Sequence, residues 1–160
     1  MTLHQLALRL GPRLRPWFFR AMGLYPPFLG AGIRVVEVAP DCSSFAVELP
    51  LTRLNRNYVG TQFGGSLYAM CDPFFMLILM LRLGPEYVVW DKSASVAFRR
   101  PGRGRVRAHF AVPDAEVERI RAEVAAHGKV EPTFTVDVVD AASGEVVAQV
   151  QKGLWVKRKS

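Results

Sequence analysis

The stretch Gly64-Gly65-Ser66-Leu67-Tyr68-Ala69-Met70-Cys71-Asp72-Pro73-Phe74-Phe75-Met76-Leu77-Ile78-Leu79-Met80-Leu81-Arg82-Leu83 is the most apolar in the chain. Its apolar part, Leu67 to Leu81, falls short of the roughly 20 apolar residues that a membrane-spanning helix needs. It also contains Asp72 and Pro73, and a carboxylate at mid-bilayer costs about 3 kcal/mol even on the lenient scale. The run therefore reads as a helix buried on nearly all sides within a protein. A helix lying on an open, flat sheet would keep a polar outer stripe, so this one requires an enclosure.

The flanking sequence supplies one. Residues 33–39 and 44–50 read as two strands joined by a Pro40-Asp41 turn. Phe45, Val47 and Leu49 alternate with Ala46 and Glu48, the period-2 pattern of a half-buried strand. Residues 51–63 are polar and irregular. The helix then runs from Gly64-Gly65 to about Leu83 and stops at Gly84-Pro85. Residues 87–99 return to alternation, with Ala94, Val96 and Phe98 facing one way and Ser93 and Ser95 the other. Residues 104–112 alternate again. A short helix is expected over 113–127, with Val117, Ile120 and Val124 as its inner stripe and Gly128 at its C-terminal cap. Two final strands follow, joined at Ser143-Gly144. The order predicts an α+β fold in which a curved antiparallel sheet of about six strands wraps around one long apolar helix. Residues 3–22 read as broken helix, ended by Gly23 and Pro26-Pro27. The expected division is a helical lead-in over 1–30 and a single domain over 31–160.

Composition bounds the function. The chain has 160 residues, half of them hydrophobic and 22% charged, which excludes a wholly disordered protein. Two cysteines, Cys42 and Cys71, are too few for a disulfide scaffold. No spacing suggests a metal site, no cofactor is implied, and a reducing cytoplasm is the default setting. The net charge is +7, and the first 36 residues hold five arginines and no acid. Pro12, Pro16 and the arginines break up any secretory signal. This start reads as a basic lead-in packed on the domain, with peripheral contact to a membrane surface as the rival reading, since Trp17, Phe18 and Phe19 sit among the arginines.

The chemistry-bearing signal lies where the helix begins, between Asn57 and Pro73. A paired glycine, Gly64-Gly65, permits close approach of backbone to a ligand. The helix start behind it presents free N–H groups and a partial positive charge. Asp72 lies about two turns further on in apolar surroundings, which are expected to raise its pKa. Such parts suit thioester hydrolysis. Amides at Gly64 or Gly65 would stabilise the developing oxyanion, Asp72 would act as base or nucleophile, and Asn57 would orient water or a carbonyl. The plainer readings are a tight turn for the glycines and, for Asp72, a structural ion pair with Lys92 or an arginine or a hydrogen bond across a subunit interface. Other motifs fail. Gly64 to Tyr68 lacks the last glycine of G-x-S-x-G, Gly60 to Gly65 is no P-loop, and His4, His109 and His127 have no triad partners.

Asn57, Gly60, Gly64, Gly65 and Asp72 resemble, in type and spacing, the motif N-x-x-G-x-x-H-G-G and its following acid in the hotdog-fold acyl-CoA thioesterase superfamily. The phenylacetyl-CoA thioesterase branch carries that motif, and Phe63 stands here where the branch has His. The chain is similar to a bacterial group of thioesterase-like proteins over the stretches 55–73 and 89–104, and the likeness covers about residues 25–157. The resemblance implies acyl-coenzyme A as the small-molecule partner. It also implies a homodimer joined edge to edge, with pairing into a tetramer left open, and acyl pockets near the dimer interface. In it Asp72 takes the catalytic carboxylate role and Gly65 the oxyanion-binding role. A phenyl ring donates no hydrogen bond, so the polar role of the missing His would move to Gln62 or Thr61. Gln62, Phe63, Gly64 and Ser66 are the substrate-binding candidates around the helix start. The alternative is a non-catalytic hotdog module that binds acyl-CoA or lipid.

Arg99, Arg100, Arg103, Arg105 and Arg107 form a basic run. A solvated strand face is the plain reading. Next comes a site for coenzyme A phosphates at Arg99, Arg100 and Arg103. Nucleic acid ranks last, because few aromatics are interleaved with these arginines and no binding motif is present.

Overall fold

The computed structural model describes residues 10, 11 and 13–159. The expected start of the lead-in helix at 3–9, with Arg9 and His4, lies outside the described residues. In chain order the elements are α1 (Arg15–Arg20), a 3-10 turn (Ala21–Leu24), α2 (Pro26–Ala31), β1 (Arg34–Val38), β2 (Ser44–Leu49), α3 (Gly64–Ala69) and α4 (Phe74–Leu83). They continue as β3 (Tyr87–Phe98), β4 (Val106–Ala111), α5 (Asp114–His127), β5 (Lys129–Val130), β6 (Thr133–Asp140) and β7 (Val146–Arg158). The strands form one antiparallel sheet in the order β1-β2-β4-β6-β7-β3, and the short β5 pairs with β7 as an additional strand.

The apolar helix lies against this curved sheet. Phe74, Ile78 and Leu79 are fully buried with Phe45, Phe110, Val138 and Val150, and the Phe74 and Phe110 rings stack at 4.9 Å. Side chains of this size each contribute about 1.5–3 kcal/mol on burial. Residues 64–83 are long and apolar enough to cross a membrane, yet most of the stretch is buried inside this domain. It is also not one continuous helix. Pro73 has no N–H, and at the break Cys71 and Asp72 donate to carbonyls three residues back, Tyr68 at 2.8 Å and Ala69 at 3.4 Å. Regular bonding resumes at Leu77, whose N–H reaches Pro73 O. The predicted single helix is thus two segments, and the missing donor at Pro73 is the cause. Asp72 sits in the break.

Two further expectations change. Pro26-Pro27 opens α2 rather than ending the lead-in, because proline suits the first helical turn. Ala94 and Phe98 on β3 are exposed although they alternate as a buried face should. Among the described residues β3 is the last strand of the sheet and pairs only with β7, so no described strand covers that end. The lead-in itself belongs to the core. Phe19 meets Phe45 edge-to-face at 5.4 Å, and Phe28 lies 6.1 Å from Phe74.

Candidate active site

β7 carries the residue that organises the site. Ala148, Val150, Lys152, Leu154 and Val156 alternate onto its buried face, so Lys152 points inward and is fully buried. A buried ammonium group costs several kcal/mol unless it is paired, and three groups converge on it. Lys152 Nζ donates to Asp72 Oδ1 at 2.8 Å and to the Tyr68 hydroxyl at 3.2 Å, and it lies 3.1 Å from Asp91 Oδ1. Tyr68 Oη donates to Asp72 Oδ1 at 2.6 Å. Tyr68 and Asp72 are four residues apart, the spacing that brings side chains together on a helical turn. Asp91 comes from the inward register of β3. The cluster therefore joins the helix break to the two last strands of the sheet.

Two carboxylates share one ammonium group, and their environments separate them. Burial pushes the Asp72 carboxyl up. Hydrogen bonds from Lys152 and Tyr68 and the lysine charge outweigh that, and its pKa lies below the ordinary carboxylate value. The expected rise from apolar surroundings is overturned by this pairing. Burial also pushes Asp91 up, and there the weaker contact with Lys152 does not compensate, so its pKa is raised. Burial lowers the Lys152 pKa, but its bonds to Asp72, Tyr68 and Asp91 reverse the shift and hold it protonated. Tyr68 is raised by burial and by its bond to Asp72. Burial pushes the neighbouring Cys71 thiol up to about 12, so this cysteine is no nucleophile at neutral pH.

Asp72 remains accessible. Its side chain is 47% exposed. Both hydrogen bonds end on Oδ1, and among the described residues Oδ2 accepts none. The carboxylate is held by one oxygen and offers the other.

The helix start has a different character. The first bonds of α3 run from Ser66 and Leu67 N–H to Phe63 O. Among the described residues the Gly64 and Gly65 amides have no acceptor, as at any helix start. A side chain at either glycine would also crowd an aromatic ring. A Cβ on Gly65 would lie 2.6 Å from the Phe63 ring, and one on Gly64 would lie 3.0 Å from the Phe98 ring. Ser66 is buried beneath them, and Phe63 is exposed. The Asn57 side chain serves its own loop. Its Nδ2 donates to Thr61 Oγ1 and Gln62 O, and its Oδ1 accepts from the Val59 and Thr61 amides.

A cleft of about 420 Å³ opens beside this start, lined by Asn57, Gln62, Gly64, Phe98, Arg99 and Arg100 among others. Gln62 is buried. Its Nε2 donates to Leu49 O and Gly104 O at 3.0 Å, and among the described residues its Oε1 has no partner. Arg99 hydrogen-bonds Gln149, and Arg100 pairs with Glu145. Arg103 is exposed and outside this lining. Asp72 and Gly65 are not among its walls either. One chain therefore brings Asn57, Gln62, Gly64, Arg99 and Arg100 together and holds Asp72 in a separate cluster. Lys92, the partner considered for Asp72, pairs with Glu131 instead. No group of three His, Cys, Asp or Glu side chains able to hold a metal occurs among the described residues.

Sequence reading missed Lys152, Tyr68 and Asp91. A signal for Lys152 was present, because a lysine in the inward register of an apolar strand is almost never buried without a partner.

Solved structures share this architecture. A protein from Pseudomonas aeruginosa described as of unknown function and a probable thioesterase aligns with TM-score 0.78 and 19% identity. That alignment covers 87% of this chain and 93% of the other. A thioesterase from Haemophilus influenzae aligns with TM-score 0.65 and 13% identity, covering 89% and 90%. A mutant of the phenylacetic acid degradation protein PaaI from Thermus thermophilus aligns with TM-score 0.54 and 26% identity, covering 81% and 97%. No curated protein sequence matches the chain. A family model described as a domain of unknown function, DUF4442, matches residues 15–156. The chain has the hotdog fold of thioesterase-like proteins and belongs to the DUF4442 family.

Proposed function

We propose that the protein hydrolyses the thioester of an acyl-coenzyme A. The observation that carries this reading is the Asp72 carboxylate at the helix break, anchored through Oδ1 by a buried lysine with Oδ2 unoccupied. In the proposed reaction the thioester oxygen is held by the Gly65 amide, where negative charge develops as the carbonyl is attacked. Asp72 Oδ2 takes a proton from water, the hydroxide bonds to the carbonyl carbon, the C–S bond breaks, and the thiolate leaves to be protonated. Lys152 and Tyr68 keep Asp72 ionised and fix its orientation. Arg99, Arg100 and Arg103 are the phosphate ligands of this reading, and Gln62 forms part of the cleft wall beside Arg99 and Arg100. The cytoplasm suits an acyl-coenzyme A substrate and the two free cysteines.

The reading includes a homodimer. Among the described residues β3 presents a long edge with no strand partner, ending at the exposed Ala94 and Phe98, the kind of edge that pairs with another strand. Joining two sheets there would bring a second chain up to the helix break, which a single chain leaves apart from its arginine cleft.

The test is thiol release across short to long acyl-coenzyme A substrates. Asp72→Asn is expected to lower kcat by about a hundredfold or more. Lys152 keeps Asp91 as a partner in that variant, so the fold persists. A wild-type protein that releases no thiol from any chain length ends the enzymatic reading. A second reading, a module that binds acyl-coenzyme A without turnover, is favoured by the exposed Phe63 ring at the position of the branch histidine. Calorimetry showing binding without hydrolysis would select it. Equal affinity for free coenzyme A and an unrelated polyanion would remove its acyl specificity.

A further inference from the structure

We propose that the N-terminal helical layer, residues 13–31, docks the protein on an anionic lipid bilayer. The inference is independent of the hydrolytic reading. Leu14, Trp17, Ala21 and Leu24 recur at helical spacing along α1 and the following turn, and all four are exposed. Trp17 is 70% and Leu24 73% exposed. Leu29 on α2 extends the apolar surface. The opposite side of the layer is fastened to the core through Phe19 and Phe28, so this surface is a rigid ridge.

The ridge is flanked by two clefts of contrasting character. One, of about 440 Å³, is almost wholly apolar and lies between Phe18, Met22, Leu24, Tyr25, Pro73 and Leu77. The other, of about 350 Å³, has Arg20 and Arg34 in its walls together with Leu24 and Leu29. Arg13, Arg20 and Arg34 make no ion pair among the described residues, and Arg20 lies over the Trp17 ring at 5.9 Å. Unpaired guanidinium groups beside exposed aliphatic and indole side chains match the phosphate and acyl levels of a bilayer interface. A second copy of the chain is the poorer occupant. A self-complementary contact would set this acid-free, arginine-bearing surface against itself. A nucleic acid offers nothing for the exposed leucines.

The experiment is flotation of the full chain with vesicles at about 0.1 M salt, where surface charge is screened only beyond about 10 Å. Vesicles of phosphatidylcholine alone are compared with vesicles containing about one-third phosphatidylglycerol. The protein is expected to float with the anionic vesicles at least tenfold better, and to lose most of that binding at about 0.5 M salt. The double variant Arg20→Glu, Arg34→Glu is expected to weaken partition by tenfold or more, since each basic residue near the surface contributes about a fivefold factor. Trp17→Ser with Leu24→Ser is expected to abolish it. Both pairs are exposed, and the charge pair keeps the test intact if the apolar pair fails to fold. No flotation of the wild type with anionic vesicles, or equal flotation of wild type and the charge variant, overturns the proposal. So does a concentration-dependent oligomer that dissociates in the Trp17→Ser, Leu24→Ser variant without any vesicle binding.

Discussion

Two groups of charges in this molecule contrast in how they are built. The arginine run between Arg99 and Arg107 is conspicuous in the sequence, and the fold disperses it. Arg105 reaches Glu48 of β2 at 3.2 Å, and Arg107 reaches past β2 to Glu37 of β1 at 2.6 Å, both near the surface. The Lys152 cluster is inconspicuous in the sequence, and the fold gathers it from α3, the helix break, β3 and β7. Charge adjacent along a strand is mostly solvated separately. Charge brought inward from distant segments has to be satisfied together.

Three measurements bear on that contrast. Lys152→Met is expected to have the largest effect. It leaves Asp72 and Asp91 without their cation, and breaking such a pair costs about 3 kcal/mol, the low end because both carboxylates regain some water. The corresponding fall in Tm is roughly 6–12 °C for a domain of this size. A loss no larger than that of a surface variant would mean the cluster is not a structural unit.

A smaller effect is expected from acid. The folded-state pKa of Asp72 is held below its unfolded value. Its contribution is therefore present above about pH 4 and is lost as pH falls through the lowered folded value. Asp91 is shifted the other way, and its protonation relieves its burial and offsets part of the loss. The Tm gap between wild type and Asp72→Asn should thus shrink by a few degrees on acidification. A gap independent of pH would show that Asp72 is not ionised in the native cluster.

The smallest effect is expected at Arg107→Ala and Arg105→Ala, each within about 0.5 kcal/mol by chemical denaturation. A cost approaching that of Lys152→Met would erase the distinction between the two charge groups.

Much of the fold was legible because burial imposes a period. The alternation at Phe45, Val47 and Leu49 and the stripe Val117, Ile120 and Val124 are local consequences of which face meets the core, and Gly128 and Gly144 mark turns through their positive φ. The same reasoning erred at Ala94 and Phe98, where the pattern marks an apolar face but not what covers it. The candidate site was half legible. Asp72 was conspicuous as a charge in an apolar run, whereas its partner lies eighty residues away on β7, and nothing local links them.

The order of elements and the enclosed helix follow from the sequence alone, through side-chain periodicity, and the missing amide of Pro73 explains the break that the structure adds. Tertiary structure alone decided that the inward Lys152 meets Asp72, that Asp91 competes for it, and that the arginines between Arg99 and Arg107 part company. Pairing depends on strand register between distant segments. Register is settled by packing the whole core, not by any one stretch of chain.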